Sequence, residues 1–297
     1  MGRPVDLGTL FPSSSDPDDI SKSLGSSWAR AISADGNVVV GNAHSQGGDH
    51  ASVWRYSNGK WSAPEDLGTH QRNAQNPDDN SLSTGKSKAH AINADGNMVV
   101  GEADNSQGNS RASVWRYSNG KWSAPVDLGT HQRNAQNPDD NSLSTGRSKA
   151  HAINADGNVV VGEANNNQGN NRASVWLDLR TADDKQNNRE HWSAPFDLGT
   201  HVLDSNNPNN TLGNSTAFAI SSTGDTVIGR AEREANNGQR EDRATLWHIK
   251  FINKAQQPPA QPPAQPPAQP PVQPPVQPPV QPPVQPPAQP PAQPPAQ

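Results

Sequence analysis

Ala89–Thr130, AHAINADGNMVVGEADNSQGNSRASVWRYSNGKWSAPVDLGT, is the stretch that decides the fold. Its segments AHAIN, MVVGEA, ASVWRY and KWSAPVDL are rich in Val, Ile, Trp and Tyr, the composition of half-buried strands. Turn signals separate them. Asp95-Gly96 and Asn119-Gly120 are the pairs that a type I′ hairpin favours, because both of its central residues take φ > 0. Three successive tight connections predict a four-stranded antiparallel meander. A lone meander cannot cover both of its faces, so it needs neighbours of its own kind.

Those neighbours are present. DLGT starts at Asp6, Asp66, Asp127 and Asp197, giving spacings of 60, 61 and 70 residues. The turn pair recurs as Asp35-Gly36, Asp95-Gly96 and Asp156-Gly157, with Thr223-Gly224-Asp225 as its variant. The strand ending in tryptophan recurs at Trp54, Trp115, Trp176 and Trp247. Between Asp66–Trp115 and Asp127–Trp176 only Lys86/Arg147, Met98/Val159, Asp104/Asn165, Ser106/Asn167 and Ser110/Asn171 differ, which marks a recent duplication. The third copy replaces the RYSNGK hairpin with Leu177–His191, and the fourth is the most diverged.

A fixed long period of this kind predicts an array of sheets. The fold class expected is all-β, four repeats of a four-stranded antiparallel meander arranged as a β-propeller, with an open β array or solenoid as the alternative. Ring closure places the N-terminal VDLGT strand beside Leu246–Phe251. The long polar loops, such as Thr69–Lys88, are expected on one face and the shorter EADNSQGNSR loops on the opposite one. Residues 1–254 form this β domain. Residues 255–297 are a linker or tail in which QPPA or QPPV occurs ten times, an extended polyproline II spacer of about 3.1 Å per residue.

Composition narrows the function. The chain of 297 residues carries 24 basic and 29 acidic side chains without a basic run, which argues against nucleic acid and anionic membrane as partners. It has no cysteine, so disulfides, thiolate metal sites and a cysteine nucleophile are excluded. No apolar run approaches the ~18 residues of a membrane-spanning helix, and MGRPVDLGT enters the repeat without a charged-then-apolar signal segment.

The residues with chemical potential are carried by the repeat. His70, His131 and His201 follow DLGT, while His90 and His151 sit inside the AHAIN strand. No HExxH or tight carboxylate pair accompanies them, so they read as structural. Asp78/Asp79 and Asp139/Asp140 lie amid Asn and Ser oxygens but lack EF-hand spacing, which makes a solvated acidic loop the plainer reading than calcium. Glu102 and Glu163 recur in the same way, and no GxSxG, P-loop or GxGxxG is present. Trp54, Trp115, Trp176 and Trp247 are expected to pack between sheets. Trp61, Trp122 and Trp192 are expected nearer the surface, where sugars stack on exposed rings. The residues therefore assign no catalytic, cofactor-binding or metal site, and no cofactor.

The order A-x-A-I-N-x-D-G-x-V-V-V-G, A-S-V-W, D-L-G-T over residues 5–250 resembles the bacterial extracellular repeats of the HAF family. The His-Ala-Phe that names the family reads His50-Ala51-Ser52 here. With the proline-rich segment that follows, the resemblance implies an autotransporter-like passenger and linker displayed at the bacterial surface; neither a signal peptide nor a C-terminal barrel is expected within this chain. The function expected is non-enzymatic: adhesion or cell–cell aggregation through multivalent loops, with a host or bacterial surface protein or glycan as partner. A propeller enzyme or lectin-like domain, and a structural or immune-decoy passenger, are the alternatives.

Overall fold

The computed structural model describes residues 3–250 except 14–18, 20, 21, 77, 78, 138, 139, 188 and 206; Asp78, Asp139 and the spacer over 255–297 lie outside the described residues. In the first sheet, β1 (Ser27–Ile32), β2 (Val38–Ser45) and β3 (Gly48–Ser57) form a meander, and β4 (Lys60–Trp61) and β5 (Glu65–Asp66) both pair with β3. The second sheet repeats it with β6 (Ser87–Ile92), β7 (Met98–Asp104), β8 (Ser110–Ser118), β9 (Lys121–Trp122) and β10 (Val126–Asp127). The expected fourth strand is thus two short pieces, broken at Ser-Ala-Pro because Pro125 has no N–H to give the ladder. The third sheet contains β11 (Ser148–Ile153), β12 (Val159–Asn165), β13 (Asn171–Leu177) and β14 (Phe196–Asp197). There a short helix α1 (Ala182–Gln186), closed by a Thr181/Asp184 capping box, stands in for the hairpin.

After a two-stranded ribbon, β15 (Val202–Asp204) and β16 (Asn207–Leu212), the fourth sheet comprises β17 (Ser215–Ile220), β18 (Thr226–Glu234) and β19 (Arg240–His248). It has three strands among the described residues, one fewer than expected.

The two kinds of turn differ. Asn58 and Asn119 take φ of 52° and 51°, each before a glycine at 81°, as a type I′ hairpin requires. In Asp95-Gly96 only the glycine has positive φ, at 68°. Asn93, two residues earlier, holds that turn instead: its side-chain oxygen accepts from the N–H groups of Asn97 and Met98 at 3.1 and 2.9 Å. An Asx-type bond closes a four-residue turn, so a type I′ pair is not needed.

The sheets stack face to face in chain order. Between the first and second, Val38, Val40, Ala51 and Val53 meet Ala89, Val99, Ala103 and Trp115. Met98, Val100 and Val114 meet Ala150, Val160 and Trp176 at the next junction, and Val159, Val161 and Val175 meet Ala217 and Val227 at the third. Trp54, Trp115 and Trp176 are fully buried, as the alternation of the strands predicts, and Trp247 is partly buried against the third core. The inner strands β1, β6, β11 and β17 are neighbours in turn. A series of backbone bonds links their turns, from Ala34 N–H to the Ala94 carbonyl (3.1 Å), Ala94 to Ala155 (3.2 Å) and Ala155 to Ser222 (3.2 Å).

The DLGT strand that starts at Asp66 joins two sheets. Asp66 pairs with Ser52 of its own sheet, while the next residue, Leu67, accepts a hydrogen bond from the Trp115 indole of the following sheet at 2.7 Å. The N-terminal copy does the second half of this: the Leu7 carbonyl accepts from Trp54 at 2.7 Å, and Leu7 and Leu10 pack over Val39, Ala43 and Trp54. It caps the first sheet and does not pair with β19, whose strand partner among the described residues is β18 alone. The ring-closing pairing expected from sequence is therefore replaced by a cap. Leu7 and Leu10 thereby keep Val39, Ala43 and Trp54 of the first sheet from water.

The long loops and the β2–β3-type hairpins also meet at one end of the sheets, contrary to the expectation of opposite faces. The His70 N–H donates to the Asp104 carbonyl at 3.2 Å and the Gln71 amide to the Asn105 carbonyl at 2.8 Å. The reason is strand direction: β5 runs antiparallel to β3, so the chain returns to the end from which β3 came.

Candidate functional site

In each of the four repeat sheets the first two strands slip register at the same place: between Ala29 and Ala31, Ala89 and Ala91, Ala150 and Ala152, and Ala217 and Ala219. The skipped residues, Arg30, His90, His151 and Phe218, are β-bulges, a device that re-aims a side chain. Opposite each stands a glycine. A Cβ on Gly41, Gly101, Gly162 or Gly229 would lie 1.8, 1.9, 1.9 or 2.0 Å from the carbonyl oxygen of Trp28, Lys88, Lys149 or Thr216. Only glycine permits that approach.

The four bulged residues line one basin where the inner strands converge. The His90 and His151 rings are parallel to within 8° with centroids 5.6 Å apart, and Phe218 lies 6.1 Å from His151. His90 Nδ1 donates to the Ala150 carbonyl at 3.0 Å, which leaves Nε2 as the free lone pair, 3.9 Å from Glu102 Oε1. Glu102 accepts from the Ser110 hydroxyl at 2.7 Å and stands 3.8 and 3.7 Å from the Lys88 and Lys149 ammonium groups. Arg30 Nε donates to Asn42 at 3.2 Å at the other end of the row. Glu163 is used differently, accepting from Thr216 Oγ1 at 2.9 Å.

Burial pushes His90 down to about 4, with His151 acting in the same direction and Glu102 against it. Burial likewise lowers His151. Glu102 is held below the usual carboxylate range: burial alone raises it, but Ser110, Lys149, His90 and Lys88 together outweigh that. The pair of imidazoles is therefore neutral at pH 7, which makes the basin a stacked aromatic surface flanked by the Arg30 cation.

A stability consequence follows, with a definite sign. An unfolded histidine takes up its proton near 6.5 and folded His90 only near 4, so the unfolded state binds more protons in between. Stability from this group is full above about 6.5 and is lost as pH falls toward about 4. His90→Phe, which installs the residue that the fourth copy uses at this position, is expected to flatten the fall in melting temperature between about pH 7 and about pH 4.5. An unaltered slope in that variant would rule out this assignment. His50 runs the other way: although burial pulls it down, its bond to Asp66 raises it overall, so its contribution is lost as pH rises through the folded value.

The long loops form the second feature. Sequence alone marks them as polar and coreless, yet each is held by a buried side chain. Arg111, 0% exposed, donates to Asp127 at 3.1 Å and, at the loop, to the carbonyls of Ser144 (3.0 Å), Gly146 (3.3 Å) and Asn141 (3.2 Å). Arg172 repeats this with Asp197 at 2.7 Å and the Gly213 carbonyl at 2.9 Å. In the first copy His50 takes the place, 2.8 Å from Asp66 and 3.2 Å from the Gly85 carbonyl. The sequence reading missed Arg111 and Arg172. Their signal was available, an arginine directly before each ASVW of the second and third copies.

The other expected site residues fall as follows. His70, His131 and His201 bond to the hydroxyls of Ser113, Ser174 and Thr245 at 2.8, 2.9 and 2.8 Å, a structural use repeated in three copies. Asp79 and Asp140 cap short 3-10 turns, each accepting from the N–H of the serine two residues on at 3.0 Å. Trp122 and Trp192 are buried in the inter-sheet cores, contrary to the surface position expected of them, and Trp61 is partly buried. Strand pairing explains Trp122: β9 hydrogen-bonds to the end of β8 and turns the ring inward beside Tyr117, 5.3 Å away.

No family model and no curated protein sequence matches the chain. Among solved structures, it is similar to the putative TolB of Agrobacterium tumefaciens at 12% identity and a TM-score of 0.39, covering 76% of this chain and 61% of that one. TolB from Acinetobacter baumannii is 13% identical with a TM-score of 0.39, covering 76% and 45%. The periplasmic gluconolactonase PpgL of Pseudomonas aeruginosa is 12% identical with a TM-score of 0.34, covering 81% and 63%. The chain thus spans less than two thirds of each of these proteins. Among the described residues no helix is long and apolar enough to cross a membrane.

Proposed function

We propose that the chain is a non-enzymatic binding module displayed outside the bacterial cell, which acts in adhesion or cell–cell aggregation through several copies of one loop. The observation that carries this reading is the buried anchoring of the loops by Arg111 and Arg172, with His50 in the corresponding place. A ligand-binding loop is worth anchoring because ordering it beforehand removes that entropy from the binding step. The loops that follow Asp66 and Asp127 are identical from Thr69 to Gly85 and from Thr130 to Gly146. Two identical surfaces on one rigid stack gain avidity that neither has alone. Their Asn, Gln, Asp and Ser side chains match the hydroxyl-rich surface of a glycan or the polar rim of a surface protein. The HAF-like repeat and the proline spacer support a passenger held away from the cell.

The test replaces residues 72–76, then 133–137, then both, by Gly-Ser segments, and measures binding of the labelled protein to bacterial and host cells by flow cytometry. One replacement is expected to weaken binding roughly ten-fold and both together on the order of a hundred-fold or more, since avidity multiplies. Undiminished binding by the double replacement would sink the reading. The basin at His90, His151, Phe218 and Arg30 favours a second reading, a ligand held at the axis by side chains from all four sheets, as in propellers with central sites.

A further inference from the structure

The two ends of the stack are complementary halves of the junction that the chain builds three times internally. At the tail, Ile228 and Leu246 occupy the positions of Val40 and Val53, which are buried in the first junction; here they are 51% and 53% exposed. At the head, Ala29 is exposed where its equivalents Ala89, Ala150 and Ala217 are 0% exposed, and Ile32 is 56% exposed where Ile153 is 9%. Trp28, 49% exposed, stands where the internal copies have Lys88 and Lys149. The head edge is thus more apolar than the internal ones.

The polar parts match too. Arg243 stands opposite Ala231 in register, as Arg111 stands opposite Ala103 and Arg172 opposite Ala164. Its internal counterparts bind the aspartate of a DLGT strand, whereas Arg243 is half exposed and rests on Glu241. Asp6 supplies the missing half: one oxygen accepts from Gly8 N–H at 2.9 Å, as Asp127 does from Gly129 at 2.8 Å, while Asp127 also binds Arg111. Val5, 66% exposed, stands where Val126 pairs with Val114.

We infer that a second copy of this chain docks head to tail, its Val5–Asp6 strand adding to the edge of β19 that pairs with no strand among the described residues, and its first sheet covering Ile228 and Leu246. The internal junctions set the register: Asp6 of the incoming copy opposite Thr245, Val5 opposite Leu246, and the Asp6 carboxylate on Arg243. The chain's own spacer fits this place poorly. Residues 256–297 contain only Gln, Pro, Ala and Val, so they bring no carboxylate for Arg243, and prolines recur where a pairing strand needs N–H donors. Because the interface is heterologous, two copies close into a ring if the geometry permits, and more copies extend as a filament if it does not.

Sedimentation velocity on the full chain is expected to show association that grows with concentration. Ile32→Asp at the head, or Leu246→Asp at the tail, should each weaken it at least ten-fold, and an equimolar mixture of the two should recover a dimer and nothing larger. Both residues are exposed in the single copy, so neither change threatens its fold. A covalent version uses the absence of cysteine: on mild oxidation, Val5→Cys mixed with Leu246→Cys should give a disulfide-linked mixed dimer. Several outcomes overturn the inference. They are a monomer up to about 0.5 mM, association that survives in Ile32→Asp alone, Leu246→Cys dimers with themselves, or a doubly substituted Val5→Cys/Leu246→Cys chain that cross-links only within itself.

Discussion

Arg111→Ala is expected to lower the melting temperature by roughly 10 °C, the largest effect of any single side-chain deletion among the loop anchors. The substitution removes a guanidinium that is 0% exposed and leaves behind Asp127, whose side chain is 8% exposed, without its cation. Breaking one side of a buried ion pair costs about 3–5 kcal/mol, and a domain of this size shifts by about 2–4 °C per kcal/mol. The carbonyls of Asn141, Ser144 and Gly146 lose their donor at the same time. Arg111→Lys should recover little, because one ammonium cannot span the aspartate and the carbonyls that the fork reaches. Arg111→His should recover part, since His50 shows that an imidazole holds the aspartate and one carbonyl. Differential scanning calorimetry, with hydrogen exchange over residues 130–147, checks both the global and the local effect. A loop that stays protected in Arg111→Ala would show that the anchor is dispensable.

Gly162→Ala is expected to be of similar severity, although it adds a single methyl. The new Cβ would lie 1.9 Å from the Lys149 carbonyl oxygen, 2.9 Å from its carbon and 3.0 Å from Ala150 Cα, all backbone atoms with no rotamer to change. Overpacking in a core typically costs 1–3 kcal/mol, and with no flexible atom to yield this site should reach about 3 kcal/mol or more. The control is Gly36→Ala. That glycine has φ of +74° and nothing within 4 Å of the added carbon, so only the left-handed backbone counts, about 1–2 kcal/mol. If the two variants melt together, close approach is not what Gly162 is for. If Gly162→Ala melts far lower, the bulge that aims His151 depends on it, and the analogous change at Gly101 should release His90 in the same way.

These two residues also mark where sequence reading succeeds and where it stops. The meander, its repetition, the Asn-Gly hairpins and the burial of Trp54, Trp115 and Trp176 were all legible, because each follows from residues a few positions apart. The bulges were not. A slipped pairing between Ala89 and Ala91 leaves no trace in the alternation of one strand, and the glycine that allows it lies on the neighbouring strand. The role of Arg111 was hidden for a similar reason: its partners are 16 to 35 residues away. The polar loop that it holds looks, read alone, like any other solvated segment.

The sequence by itself determined that this chain is an all-β array of four repeats with tryptophans between the sheets, since period, turn chemistry and strand composition are local properties that repetition amplifies. Tertiary structure alone decided three things: that the N-terminal DLGT strand caps Trp54 and does not join β19, that Trp122 and Trp192 turn inward, and that four bulged residues converge on one basin. Each depends on which of several equivalent surfaces pack together. Near-identical repeats offer the same local pattern to all of them, so the choice is made by the packing and hydrogen bonding of residues far apart in the chain.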